Sequence, residues 1–174
     1  MHIKTVLASV AASLLLGCAD VPRDGAGALD AAAVMRVVEA FRVAIIERDR
    51  PAYMGLFFSV KPEEVGWQAV VDDQMLETIR RTRPQAIKAR PNNANNFVSL
   101  IESVIASTTS QEEKISNVRV YTDGEVASAV FDYVYVSDGQ PINRGSEHWQ
   151  LVRTEGGWKI FSVVYTVRSP SGGA

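Results

Sequence analysis

Apolar residues recur at helical spacing through the first half of the chain and at strand spacing through the second half. Asp30 can cap a helix, and the period of about 3.6 residues that follows it predicts a helix through about Glu47. The positions that would form its buried face are Val34, Val37, Val38, Phe41 and Ile45. The folded part of the chain is therefore expected to begin with an amphipathic helix.

Shorter elements are predicted between this helix and the middle of the chain. A second helix begins at Pro51, a residue type that suits the first turn of a helix, and ends before Pro62. The remaining pattern predicts a strand at residues 65–71, helices at 72–81 and 97–107, and a loop at 83–96 that holds two prolines and four asparagines.

From residue 115 onward, apolar positions alternate with polar ones, which is typical of strands. Three glycine-containing turns divide this region, at Asp123-Gly124, Asp138-Gly139 and Gly156-Gly157. The four strands that they separate cover residues 115–121, 125–136, 143–153 and 158–168. Helices followed by an antiparallel meander predict an α+β fold, in which the helices pack on one face of a curved sheet.

Three segments of these strands resemble a known family. They are residues 130–135 (VFDYVY), 145–152 (GSEHWQLV) and 157–164 (GWKIFSVV), and they look like the C-terminal half of the nuclear transport factor 2-like superfamily. The resemblance implies a cone-shaped domain with a pocket between the sheet and the helices, and it allows a homodimer through the sheet. It implies no single reaction, because this superfamily contains ketosteroid isomerases, polyketide cyclases, dehydratases and members without catalytic activity.

The N-terminal residues have the layout of a lipoprotein signal peptide. Lys4 precedes an apolar and small-residue run at 5–16, which is shorter than the ~20 residues of a membrane-spanning helix. Leu15-Leu16-Gly17-Cys18 resembles the bacterial lipobox, which implies cleavage before Cys18 and a diacylglyceryl chain on its thiol. Ala19 follows, and by resemblance to enteric lipoproteins it favours an outer-membrane anchor with the domain facing the periplasm.

These features divide the chain into a signal peptide (1–17), a flexible tether (18–29), a folded domain (30–168) and a disordered tail (169–174). Cys18 is the only cysteine, so no internal disulfide is expected. The balance of 18 basic and 20 acidic residues disfavours nucleic acid as a partner, since neutralising phosphates requires a basic surface. The sequence has no zinc-ligand spacing and no phosphate-binding loop, so no metal and no cofactor are expected.

The turns also predict which strand residues share a face, because side chains alternate between the two faces of a sheet. The predicted cross-strand pairs are Val120 with Ala127, Phe131 with Trp149, and Leu151 with Ile160. The face turned towards the helices would then carry Val118, Val120, Ala127, Ala129, Phe131, Tyr133, Tyr135, Glu147, Trp149, Leu151, Trp158, Ile160, Ser162 and Val164.

Glu147 is the one charged residue on this predicted face. Desolvation among Tyr133, Tyr135 and Trp149 would disfavour its ionised form, as happens in acid–base catalysts and in pockets that bind polar ligands. Three interpretations stay open. The carboxylate is hydrated at the rim of the sheet, or it binds a polar ligand with the two tyrosines as neighbouring donors and Trp149 as a wall, or it transfers a proton.

Other residues extend these predictions. Ser162 would face the same pocket, while Trp67 and Tyr53 would be either pocket aromatics or core residues. Asp132 and His148 would be cross-strand neighbours on the opposite face, where such a pair is either a surface contact or part of an acid–base dyad.

The leading functional hypothesis is a lipid-anchored, non-catalytic protein of the bacterial envelope whose pocket binds a small molecule or an envelope partner. One alternative is a small lyase, isomerase or hydrolase of the ketosteroid-isomerase type, in which Glu147 or Asp132 moves a proton. Another is an interaction module that dimerises through the outer face of the sheet and keeps only a vestigial pocket.

Overall fold

A computed structural model describes residues 25–90 and 94–170 of the 174-residue chain. Within these residues the helices are α1 (Gly25–Glu47), α2 (Arg50–Met54), α3 (Asp73–Arg80) and α4 (Phe97–Ala106), and a 3₁₀ turn covers Pro62–Glu64. The strands are β1 (Gly66–Val71), β2 (Gln111–Thr122), β3 (Val126–Ser137), β4 (Gln140–Thr154) and β5 (Gly157–Val167). The predicted signal peptide and Cys18 lie outside the described residues. No helix in the described ranges combines the length and apolar character needed to span a membrane.

The first helix begins earlier than the sequence predicted. It starts at Gly25, so Asp30 lies inside it, and residues 25–29 of the predicted tether are helical. The Asp30 carboxylate does not cap the helix; it lies 3.5 Å from the guanidinium of Arg153, beside the β2–β3 turn. Because the helix already runs through Asp30, this residue is not at a helix end and has no cap position to fill.

The later helices begin close to their predicted positions because local signals define their starts, whereas α2 ends at Met54, well before the predicted stop at Pro62. Asp49 caps α2, Asp72 caps α3 and Asn96 caps α4, each by accepting a hydrogen bond from a backbone N–H of the first turn. Asn96 and Ser99 also form a reciprocal capping box. The Asn96–Ser99 capping box defines the start of α4, which lines the cavity described below.

The sheet has five strands in the order β1-β5-β4-β3-β2, and four of them form the predicted antiparallel meander. The fifth, β1, pairs with β5 in parallel, so the sheet is mixed rather than purely antiparallel. A parallel pair needs a long connection, and the chain between β1 and β5 supplies it. The predicted segment 65–71 is thus an edge strand of the same sheet.

The register of the central strands differs from the prediction by two residues without changing the faces. Phe131 pairs with Glu147 rather than with Trp149, and Val120 pairs with Ala129 rather than with Ala127. Because side chains repeat every two residues, Phe131 and Trp149 still face the helices. The pairing of Leu151 with Ile160 is confirmed.

Two irregularities reverse the predicted faces at one end of the sheet. In β2 the register shifts between Ser116 and Arg119, and Asn117 has a positive φ of 55°. In β5 it shifts opposite Gln150 and Leu151, which makes Phe161 an extra residue. Each extra residue forms a β-bulge, beyond which inward and outward positions exchange.

The hydrophobic core lies between α1, α4 and the concave face of the sheet. Phe41 of α1 meets Trp149 edge to face at a centroid distance of 5.0 Å, and Phe57 stacks on Phe97 at 4.2 Å. Trp158 is also buried, in agreement with its predicted position on the sheet face turned towards the helices. The core fills the end of the sheet that carries the β2–β3 and β4–β5 turns, and a cavity lies at the opposite end.

Candidate functional site

A cavity of about 380 Å³ lies between α4 and the end of the sheet where the predicted faces reverse. This volume is in the lower part of the range of ~300–1,000 Å³ that is typical of small-molecule sites. Among the described residues, its lining consists of Trp67, Asn95, Ser99, Leu100, Ser103, Glu113, Tyr133, Tyr135, Asn143, Glu147 and Tyr165. The wall is therefore aromatic and polar, and it contains two carboxylates.

Glu147 occupies the position predicted for it, on the concave face of β4. It is buried with 4% of its surface exposed, so it is not a hydrated residue at the rim. Its Oε2 accepts a hydrogen bond of 2.5 Å from the indole Nε1 of Trp149. Burial raises the pKa of Glu147 from 4.5 to about 7, although the Trp149 hydrogen bond acts in the opposite direction.

Glu113 is a second buried carboxylate that the sequence analysis did not identify. The bulge at Asn117 turns it inwards, opposite Tyr135, and leaves it 3% exposed. Burial and the charge of Glu147 together raise its pKa well above 4.5. Its Oε1 has no hydrogen-bond partner among the described residues.

Glu113 and Glu147 therefore form one acidic pair inside the cavity. Two like charges in a site of low dielectric disfavour each other, so the pair retains a proton at a pH at which exposed carboxyls are ionised. None of the cavity-lining residues in the described part of the chain is Lys, Arg or His, so no side chain there neutralises the pair. Buried charges without a partner are costly, and a ligand can supply that partner.

The tyrosines of the cavity donate their hydroxyl protons to the protein. Tyr133 donates to the carbonyl oxygen of Thr166 at 2.9 Å, and Tyr135 donates to Oε1 of Gln111 at 2.8 Å. The prediction that they serve as donors to a ligand is therefore wrong in this conformation. They offer ring faces and oxygen lone pairs instead.

Close packing at Gly145 holds Tyr133 in this position. A Cβ atom at Gly145 would lie 1.9 Å from the carbonyl oxygen of Thr166, the same atom that accepts the Tyr133 hydroxyl. Only glycine allows this approach. The close contact at Gly145 and the site carboxylate of Glu147 therefore lie two residues apart in β4.

Tyr165 and Trp67 form the aromatic side of the cavity nearest β1. Their rings meet at a centroid distance of 5.7 Å, and the Tyr165 hydroxyl accepts a hydrogen bond from Nδ2 of Asn95 at 3.3 Å. Trp67 thus borders the cavity, which is one of the two positions considered for it, whereas Tyr165 was not predicted. The bulge at Phe161 turns Tyr165 inwards.

Three predicted pocket residues lie elsewhere. Ser162 pairs with Gly66 and is half-buried on the outer face of β5, the face that also carries the 44% exposed Val164. Tyr53 is fully buried in the core against Phe41 and does not line the cavity. Trp149 is also fully buried; it supports Glu147 from the core and does not form a wall.

Asp132 and His148 do not form the predicted cross-strand pair. The two-residue shift places Asp132 opposite Ser146, and His148 lies between Val130 and Val164. Asp132 accepts hydrogen bonds from Asn117 and from Ser146, which lower its pKa. The structure therefore does not support an acid–base dyad on the outer face.

A second cavity of about 630 Å³ lies on the other side of Trp67 and Asn95. It is formed by β1 and the segment before α4, and its charged lining residues are Arg83, Lys88 and Arg90. Lys88 forms an ion pair of 2.7 Å with the exposed Asp73. Within the described ranges, no group of three or more His, Cys, Asp or Glu residues is placed to hold a metal ion.

One of the missed site residues left a signal in the sequence. Asn117 stands in an otherwise regular strand, and asparagine is enriched at positive φ, so a bulge there would have brought Glu113 to the inner face. The bulge at Phe161 has no such signal, because both faces of β5 carry apolar residues.

Comparison with known proteins supports the fold and no particular activity. No protein-family model matches the chain, and no curated protein matches it. A nuclear transport factor 2-like protein from Salmonella enterica serovar Typhimurium LT2 aligns at 16% identity over 84% of this chain and 96% of its own, with a TM-score of 0.55.

Two further solved structures agree. A nuclear transport factor 2-like protein with a cystatin-like fold from Novosphingobium aromaticivorans aligns at 15% identity over 90% of this chain and 94% of its own, with a TM-score of 0.56. A protein of unknown function with a cystatin-like fold from Nostoc punctiforme PCC 73102 aligns at 16% identity over 83% of this chain and 94% of its own, also with a TM-score of 0.56. The described domain therefore has the nuclear transport factor 2-like α+β fold that the strand sequences resemble.

Proposed function

We propose that the chain is a lipid-anchored protein of the bacterial envelope whose domain binds a small polar molecule in the acidic cavity. The observation that carries the binding proposal is the Glu113–Glu147 pair, which is buried in a cavity without a neutralising side chain among the described residues. Such a pair lowers the stability of the free protein and gains free energy when a ligand supplies hydrogen-bond donors.

The envelope location is supported by the lipobox-like Leu15-Leu16-Gly17-Cys18 and by the apolar run before it. Replacing Cys18 by Ser removes the thiol that would carry the lipid, so we expect the variant to leave the membrane fraction or to accumulate with its signal peptide. Membrane fractionation and mass spectrometry of the N-terminal peptide measure this. A wild-type protein that is found outside the membrane fraction, with no added lipid mass, would contradict the anchor.

Proton transfer is a second candidate function, favoured by the pKa of Glu147. A group whose pKa is raised to about 7 can both accept and donate a proton near neutral pH. The retained proton of the pair gives the cavity an acid beside a base. Binding and proton transfer use the same residues, and one set of variants distinguishes them.

The test uses the variants Glu113→Gln and Glu147→Gln, which keep the side-chain shape and remove the charge. We expect the compound that co-purifies with the wild type, identified by mass spectrometry, to bind each variant about tenfold more weakly or worse, as for the loss of a hydrogen bond to a charged group. Glu125→Gln is the matched control, because it removes the same charge from an exposed turn position.

The outcome decides between the two candidates. If the wild type converts the compound and Glu147→Gln lowers turnover by ~10²–10⁴-fold while affinity holds, the site is catalytic and the binding-only function is wrong. If no compound co-purifies, or if it binds both variants as tightly as the wild type, the cavity is not the binding site.

A further inference from the structure

We propose that the ligand of the acidic cavity is a small organic cation, a protonated amine with an aromatic or aliphatic body, whose ammonium group sits between Glu113 and Glu147. The inference rests on the proposed binding function and specifies its chemical class. Three independent features of the cavity lead to it: its charge, its supply of hydrogen-bond donors, and its aromatic walls.

The charge of the cavity is the first feature. Glu113 and Glu147 are the charged members of the described lining, and both are buried. A neutral ligand would leave the pair without a counter-charge, and an anion would add a further negative charge in a site of low dielectric. An ammonium group supplies one positive charge and three donors, and no cationic side chain of the described lining offers either to this pair.

The donor supply is the second feature. The hydroxyl protons of Tyr133, Tyr135 and Ser99 are donated to protein acceptors, and the indole N–H of Trp149 is donated to Glu147. Two buried polar atoms of the described lining have no hydrogen-bond partner, the indole Nε1 of Trp67 and Oε1 of Glu113. Only the Glu113 oxygen belongs to an ionisable group, so a ligand that donates a hydrogen bond to it satisfies the more costly of the two unpartnered atoms.

The aromatic walls are the third feature. Trp67, Tyr133, Tyr135 and Tyr165 all line the cavity, and the Tyr133 and Tyr165 rings meet edge to face at a centroid distance of 6.4 Å. Aromatic faces attract cations through the ring quadrupole, most strongly where water is excluded. The same rings give apolar contact to the body of the ligand. An anion would gain from neither the carboxylates nor the ring faces.

The experiment compares three probes of similar size by isothermal titration calorimetry with the full chain in a neutral detergent at pH 8. Phenethylamine is the cation, 2-phenylethanol is its neutral counterpart, and phenylacetate is the anion. We expect phenethylamine to bind at least about tenfold more tightly than 2-phenylethanol, the margin of one charge-assisted hydrogen bond, and phenylacetate to bind more weakly still. Titration of detergent alone gives the blank.

The carboxylate variants then locate the binding. Glu113→Gln and Glu147→Gln should each weaken phenethylamine binding by about tenfold or more and leave 2-phenylethanol almost unchanged, whereas Glu125→Gln should change neither. Thermal melts confirm that each variant is folded. A selective loss of amine binding is not expected from a variant that merely perturbs the packing, because the neutral probe reports on the packing.

Two results would overturn the inference. Binding of 2-phenylethanol or phenylacetate at least as tightly as phenethylamine would show that the cavity does not select cations. Absence of phenethylamine binding would show that the cavity does not bind an amine of this size. Neither result removes the binding function, which is tested separately by the compound that co-purifies and its dependence on Glu113 and Glu147.

Discussion

Replacing Trp149 by Ala should lower the free energy of unfolding by about 3–5 kcal/mol, as expected for truncation of a fully buried aromatic residue. Trp149 meets Phe41 and Phe131 edge to face, each at a centroid distance of 5.0 Å, so its loss opens a cavity between α1 and the sheet. It also removes the hydrogen bond to Glu147, which leaves a buried carboxylate without that donor. Chemical denaturation measures the change.

Two control variants separate these effects. Trp149→Phe keeps most of the ring packing and loses the N–H, so it should cost less than Trp149→Ala and reports on the Glu147 hydrogen bond. Phe161→Ala removes an aromatic ring from the outer face, where 44% of the residue is exposed, and should cost less than about 1 kcal/mol. An unchanged denaturation midpoint for Trp149→Ala would show that the concave face is assigned wrongly.

The ligand-free protein should lose stability as the pH rises from about 4.5 to just above 7. In this window the folded protein holds a proton on Glu147, whose pKa is about 7, while the unfolded chain releases it near 4.5. The folded state thus binds more protons than the unfolded state, and raising the pH favours unfolding. Because the pKa of Glu147 is about 7 in the folded protein and its ordinary value is 4.5, the loss of stability is on the order of a few kcal/mol. Glu113 acts in the same direction.

Urea denaturation at a series of pH values measures this dependence. The double variant Glu113→Gln/Glu147→Gln should flatten the profile above pH 5 and should be more stable than the wild type at pH 8, whereas Glu125→Gln should keep the wild-type slope. Groups with lowered pKa values, such as Asp132, act below this window and favour stability as the pH rises. A wild-type profile that is flat or rising between pH 5 and 8 would contradict the burial of an acidic pair.

The sequence was sufficient to predict the fold and one half of the site. Glu147 could be placed on the inner face because the turn between β4 and β5 predicts the pairing of Leu151 with Ile160, and that pairing decides which residues of β4 face inwards. The wrong register predicted for β3 and β4 did not change this placement, since an error of two residues leaves each side chain on the same face of the sheet. Turn chemistry and alternation are local properties, and local properties can be read from the sequence.

The other half of the site could not be predicted because it depends on the two bulges. Glu113 lies four residues before Asn117, and Tyr165 lies four residues after Phe161, so each extra residue reverses the expected orientation. The predicted strand also began at residue 115, which left Glu113 in an apparent loop. Whether a strand accommodates an extra residue is decided by packing across the sheet, which a single sequence does not display.

Because each of these bulges contains one extra residue, β2 and β5 can each lose a residue without a change of pairing on either side. If Asn117 were deleted, Ser116 and Arg119 would keep their partners, with Val118 as the single residue between them, and the ladder would become continuous. Removing Phe161 would do the same between Ile160 and Ser162. Deleting either residue should therefore leave Glu113 and Glu147 in the cavity, because the strand segments on both sides of the deletion keep their partners. The length of these two strands and the composition of the cavity are thus separate properties of the fold.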